Sequence, residues 1–199
     1  MTHKLSVSRW LIAGAISLCA GTSAFAAGLH SGKYEQLMLA VTPEHQIEGF
    51  YSEERGEGNF SCAFYLQGKP EALSTWVDEV YPGSVKASAD GVTLKVEQGQ
   101  QHPGCMNVLM PEIATGLDLS QTASKNWIGL VTVSADKALL QKTQNAKATK
   151  GPYIVKDDVV GVLAFKDGAA QVEYINAEGR SFTGWISQDQ YTRLSVPKH

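Results

Sequence analysis

Cysteine is scarce in this chain, with three in 199 residues: Cys19, Cys62 and Cys105. None forms a C-x-x-C pair, and no two histidines stand at the spacing of a zinc site, so no metal and no cofactor are expected. Positive charge is also short, with 17 Lys+Arg against 20 Asp+Glu and a formal net charge of −3. Nucleic acid is held by clustered positive charge, and this balance argues against such a partner. The apolar stretch from Trp10 to Cys19 is shorter than the ~20 residues of a membrane-spanning helix. Ser61 lacks the Gly-x-Ser-x-Gly setting of an esterase nucleophile.

The chain begins with the pattern of an export signal. His3, Lys4 and Arg9 form a basic start, the apolar stretch follows, and Ala24-Phe25-Ala26 fits the small-x-small cleavage rule. Cleavage after Ala26 is expected, which places the mature protein in the periplasm with no stable membrane span. A lipid anchor on Cys19 is disfavoured because the bulky Leu18 precedes it. Without residues 1–26 the balance is 15 basic against 20 acidic residues, a formal charge of −5. Cys62 and Cys105 are then the only cysteines left, and an oxidising compartment favours a disulfide between them. Closing that loop of about 43 residues stabilises the fold by roughly 3–4 kcal/mol in the chain-entropy model. The alternative is a reactive thiol at Cys62.

The hydropathy pattern predicts an all-β protein. Residues 34–41 read as a first strand and 47–51 as a second. Residues 60–66 read as a third, in which Phe60, Cys62, Phe64 and Leu66 share one face. Between the last two, residues 52–59 carry Glu53, Glu54 and Glu57 with two glycines, which predicts an exposed hairpin loop. Residues 71–81 fit either a helix or a strand. Gly91 to Val96 is a strand, Gly99 to Gly104 a loop, and 116–119 a further short strand. Strands at this spacing with glycine-rich turns predict a small β-sandwich or barrel over 27–122. The polar stretch 121–126 reads as a domain boundary.

Trp127 to Val133 then opens a second domain. A lysine-rich excursion follows over 134–150, and next come Tyr153-Ile154-Val155-Lys156-Asp157-Asp158-Val159-Val160, Val172-Glu173-Tyr174-Ile175, Gly184-Trp185-Ile186 and a closing segment at Asp189–Leu194. Together these resemble the bacterial SH3-like domain over residues 127–195. Asp157 stands where that family often has glycine. The resemblance implies a small barrel that binds rather than catalyses, with an envelope protein or a peptidoglycan stem peptide as ligand. Tyr153, Tyr174, Trp185 and Tyr191 are the candidate groove residues, because aromatic faces give large contact area at low entropic cost. Simple packing of Tyr174 and Trp185 in a core is the competing reading.

Catalysis finds little support. A cysteine hydrolase needs a thiolate beside a histidine, and His30, His45, His102 and His199 fall in terminal or loop positions. The sequence therefore predicts a non-enzymatic periplasmic binding or adaptor protein. The alternative is an inhibitor or immunity protein acting on a wall-degrading enzyme or toxin through the acidic 52–59 hairpin. A wall hydrolase is a third reading and requires Cys62 to be free.

Overall fold

The computed structural model describes residues 28–144, 146 and 149–198. The export signal and Cys19 lie outside the described residues. The protein is all-β. Eight strands, β1 (Gly32–Tyr34), β2 (Leu37–Val41), β3 (Ile47–Arg55), β4 (Phe60–Lys69), β5 (Ala72–Trp76), β6 (Val80–Ala87), β7 (Gly91–Val96) and β8 (Leu117–Ser124), form a closed antiparallel barrel in chain order. β1 pairs with β8 to complete the circle, so no edge is left open. Residues 34–41 are thus two strands rather than one, turning at Glu35, whose φ is +51°. Residues 71–81 resolve as β5, a turn and the start of β6. β8 runs through 121–124, so the first four residues of the polar stretch 121–126 belong to the barrel's closing strand, polar because they face water, and the last two lie between the barrel and the next strand.

The predicted alternation in β4 holds inside the barrel. Cys62, Phe64 and Leu66 are buried, while Phe60, at the strand's start, is 54% exposed. Tyr51, Phe64 and His102 stack in series, and Tyr81 meets His102 edge-on. Between β7 and β8 the chain makes three 3-10 turns, Gly99–Gln101, Cys105–Asn107 and Pro111–Ala114. They deliver Cys105, Val108, Leu109 and Ile113 into the barrel core. Cys62 and Cys105 are joined by a disulfide, which fastens this segment to β4.

The second region is a five-stranded antiparallel sheet built from β9 (Gly129–Val133), β12 (Val159–Lys166), β13 (Ala169–Ile175), β14 (Ser181–Ile186) and β15 (Tyr191–Arg193), in the order β14-β13-β12-β9-β15. A small ribbon, β10 (Lys137–Leu139) with β11 (Tyr153–Val155), lies in the excursion between β9 and β12. The β12–β13 hairpin turns at Asp167-Gly168, both with positive φ (50° and 79°), the geometry of a two-residue turn that matches strand twist. The core of this region is small and branched: Val131, Val133, Val160, Val162, Val172, Ile154 and Ile186.

The two regions share a third apolar cluster. Met38, Phe50, Tyr65 and Trp76 stand on the outside of β2–β5, packed with Trp127, Leu130 and Leu194. Trp127 is 1% exposed and lies so close to Gly161 that a Cβ there would sit 2.2 Å from its Nε1. Its Nε1 donates to Glu173 at 2.7 Å, and Lys125 Nζ donates to the same carboxylate at 2.6 Å. Burial pushes the Glu173 pKa up, but Lys125, Ser181 and Trp127 outweigh it, and the carboxyl is held below its ordinary range. Ser31 Oγ donates to the Trp127 carbonyl at 2.6 Å, and the Leu130 amide donates to Glu48 Oε2 at 2.7 Å. No helix among the described residues is long and apolar enough to cross a membrane.

Candidate functional site

The four aromatic candidates do not converge on one surface. Trp185 is half-buried on β14 and lines a groove of about 390 Å³ together with Lys137, Leu139, Gln141, Ser187 and Gln190. One wall is the β10–β11 ribbon, joined to β14 where the Gln141 and Trp185 backbones exchange hydrogen bonds. The other is the 3-10 turn Gln188–Gln190, capped by Ser187. Tyr153 is 51% exposed opposite Leu139, with Lys137 Nζ 4.2 Å from its ring centroid. Lys137 thus lines the groove together with Trp185, while its ammonium stands over the Tyr153 ring.

Tyr174 and Tyr191 lie elsewhere. Tyr174 pairs with Phe182 across β13 and β14 and packs against the sheet core, with its hydroxyl pKa raised by burial and by the nearby Asp158 and Glu178 charges. Tyr191 packs near Phe165 with its hydroxyl donating to the Gly168 carbonyl at 3.2 Å. The alternation along β14 explains the split: Ile186 points into the core and Trp185 away from it.

The acidic hairpin also divides. Glu53 is within β3, where Tyr51 Oη and Arg55 Nε donate to its carboxylate at 2.6 and 2.8 Å. Glu54 and Glu57 are exposed, Glu57 at the tip with φ +56°. The exposed Phe60 ring lies against the tip at Gly56.

Two features escaped the sequence. His102, read there as a loop residue, is 2% exposed inside the barrel, with Nε2 3.0 Å from Thr75 Oγ1. Thr75 Oγ1 donates onward to the Tyr81 carbonyl, so His102 Nε2 is the donor and Nδ1 the acceptor, and Nδ1 has no partner among the described residues. Burial pushes the His102 pKa down to about 4. The second feature is a cleft of about 690 Å³ where the barrel meets the sheet, lined by Glu44, Glu48, Gln67, Ile128, Phe165 and Arg193. Only the packing of the sheet against the barrel brings 44–48 next to 193, so no sequence spacing marks the cleft.

Both sulfurs of the Cys62–Cys105 pair are in the disulfide, which leaves no thiolate at Cys62 for a hydrolase. Among the described residues no three His, Cys, Asp or Glu side chains are grouped to hold a metal ion. Comparison with protein-family models, with curated proteins and with solved structures found no match.

Proposed function

We propose that this protein is an exported, non-enzymatic binding protein of the periplasm whose C-terminal region is an SH3-like module. Its ligand is an extended peptide, from an envelope protein or a peptidoglycan stem. The observation that carries this reading is the groove beside Trp185, whose lining combines that aromatic residue with the apolar Leu139 and the basic Lys137. Such a surface suits a peptide bearing apolar and acidic side chains. Three features support the SH3-like assignment: the long excursion after β9, the 3-10 turn before the short β15, and Asp157. Asp157 has φ +71°, the conformation that glycine supplies at this position in the family and that aspartate tolerates. The disulfide is in keeping with export. The test is capture of envelope proteins and titration with stem peptides, comparing wild type with Trp185→Ala and Lys137→Gln. Both variants are expected to bind at least about tenfold more weakly, as loss of an aromatic anchor or a charge-assisted contact does. Unchanged binding by both variants rejects the groove.

A second reading, an inhibitor of a wall-degrading enzyme or toxin, draws on the β3–β4 tip, where Glu54, Glu57 and Phe60 are all exposed. Acidic groups around an apolar anchor complement a basic enzyme cleft. Charge reversal at Glu54 and Glu57 is the check, and inhibition that survives it counts against the reading.

A further inference from the structure

We infer that the cleft between barrel and sheet is a separate binding site for a small zwitterion, an amino acid or short peptide with a free amine and a free carboxylate. Arg193 supplies the carboxylate end. Its guanidinium carbon lies over the Phe165 ring, 4.2 Å from the centroid, a cation–π contact that uses up no N–H donor on a carboxylate or carbonyl. Among the described residues no carboxylate oxygen is within 4.0 Å of it. Glu44 and Glu48 supply the amine end. Both line the same cleft and both feel the Arg193 charge, yet neither closes an ion pair with it. Glu48 is the more informative. It is 91% removed from solvent by its 9% exposure, with Oε2 taken by the Leu130 amide, while Oε1 has only a 3.5 Å contact from Gln67. A buried carboxylate with an under-used oxygen on a cavity wall lacks the cationic partner that such groups require. A guanidinium and two carboxylates that line one cleft without forming an ion pair match a ligand that carries both opposite charges. The site is distinct from the Trp185 groove: the two share no lining residue.

The experiment is an NMR or calorimetric titration of the purified protein with Ala-Ala and D-Ala-D-Ala, each alongside its N-acetylated and C-amidated form. Saturable binding of at least one free dipeptide is expected, weakened about tenfold or more by either block, since each removes one charge-assisted contact. Arg193→Met keeps the apolar stacking on Phe165 and should abolish the penalty for amidation, and Glu44→Gln should reduce the penalty for acetylation. Both side chains are exposed, and unchanged thermal unfolding verifies the fold of each variant. Trp185→Ala should leave dipeptide binding intact. The inference is overturned if no free dipeptide binds, if blocked forms bind equally well, or if Trp185→Ala removes the binding.

Discussion

The barrel and the sheet use their aromatic residues in opposite ways. In the barrel, Tyr34, Tyr51 and Phe64 are buried, Tyr51, Phe64 and His102 stack in series, and a disulfide joins the same core. In the sheet's own core the most deeply buried side chains are valine, isoleucine and alanine, with Leu130 buried at the seam, while Tyr153, Trp185, Phe165 and Tyr191 stand at the surface or half-buried. Large rings inside a closed barrel give stability without an exposed edge. Small branched residues fill the thinner core and leave the rings for contact with other molecules. On the proposed function the first region supplies stability and the second recognition, and one apolar seam joins them.

The largest effect on that division is expected from the seam itself. Trp127→Ala removes a fully buried indole, hollows the space over Gly161 and takes away one of the donors to Glu173. Large-to-small replacement of a buried aromatic costs roughly 3–5 kcal/mol, and the weakened Glu173 site places this variant at the upper end. Urea unfolding measures it. A loss below about 1 kcal/mol means that the two regions are held independently of Trp127.

The next effect sharpens the contrast. Replacing Cys62 and Cys105 together by alanine releases the 43-residue separation that the disulfide closes and should cost about 3–4 kcal/mol. The loss should be local. Hydrogen exchange is expected to quicken in β3 and β4 and to stay slow in β12 and β13. Equal quickening in all four strands would show that the barrel carries the stability of the sheet as well.

These contrasts were unevenly legible in the sequence. β4 was readable because one face is apolar and the other is not. β2 was read as strand but merged with the end of β1, because Met38 and Ala40 face the seam while Leu37 and Leu39 face the barrel core, so both faces are apolar and no period-2 signal marks where β2 begins. β8 ran on unseen through Thr122 and Ala123 because a barrel strand with a solvated outer face need not look hydrophobic. Cysteine count alone predicted the disulfide, yet nothing local showed that it fastens 3-10 turns. For the groove, the sequence picked out Trp185 and Tyr153 but not Lys137, which lies on a ribbon whose pairing is long-range. The cleft around Arg193 and Glu48 depends on residues 145 positions apart and left no mark in the sequence.

The smallest effect depends on pH and sets a titratable group inside the barrel against one on the barrel's seam-facing side. His102 has a folded pKa of about 4 against an ordinary value of 6.5, caused by burial. The unfolded chain therefore takes up the proton first as pH falls. The stabilisation present above pH 6.5 is lost progressively down to about pH 4, on the order of 3 kcal/mol at most. Glu48, at the seam, has the opposite sign. Burial raises its pKa above the ordinary 4.5, outweighing the Leu130 amide and Arg193, so its contribution is full below pH 4.5 and fades as pH rises through the raised value. In mild acid the seam thus gains part of what the barrel loses. His102→Gln keeps a donor for Thr75 but does not titrate, and it should flatten the loss between pH 6.5 and 4. Glu48→Gln should do the reverse and steepen it, because the compensating gain disappears while His102 still protonates. Urea midpoints of the two variants across this range decide the matter: parallel profiles would remove both groups from the acid response and leave the barrel's pH sensitivity to its surface charges.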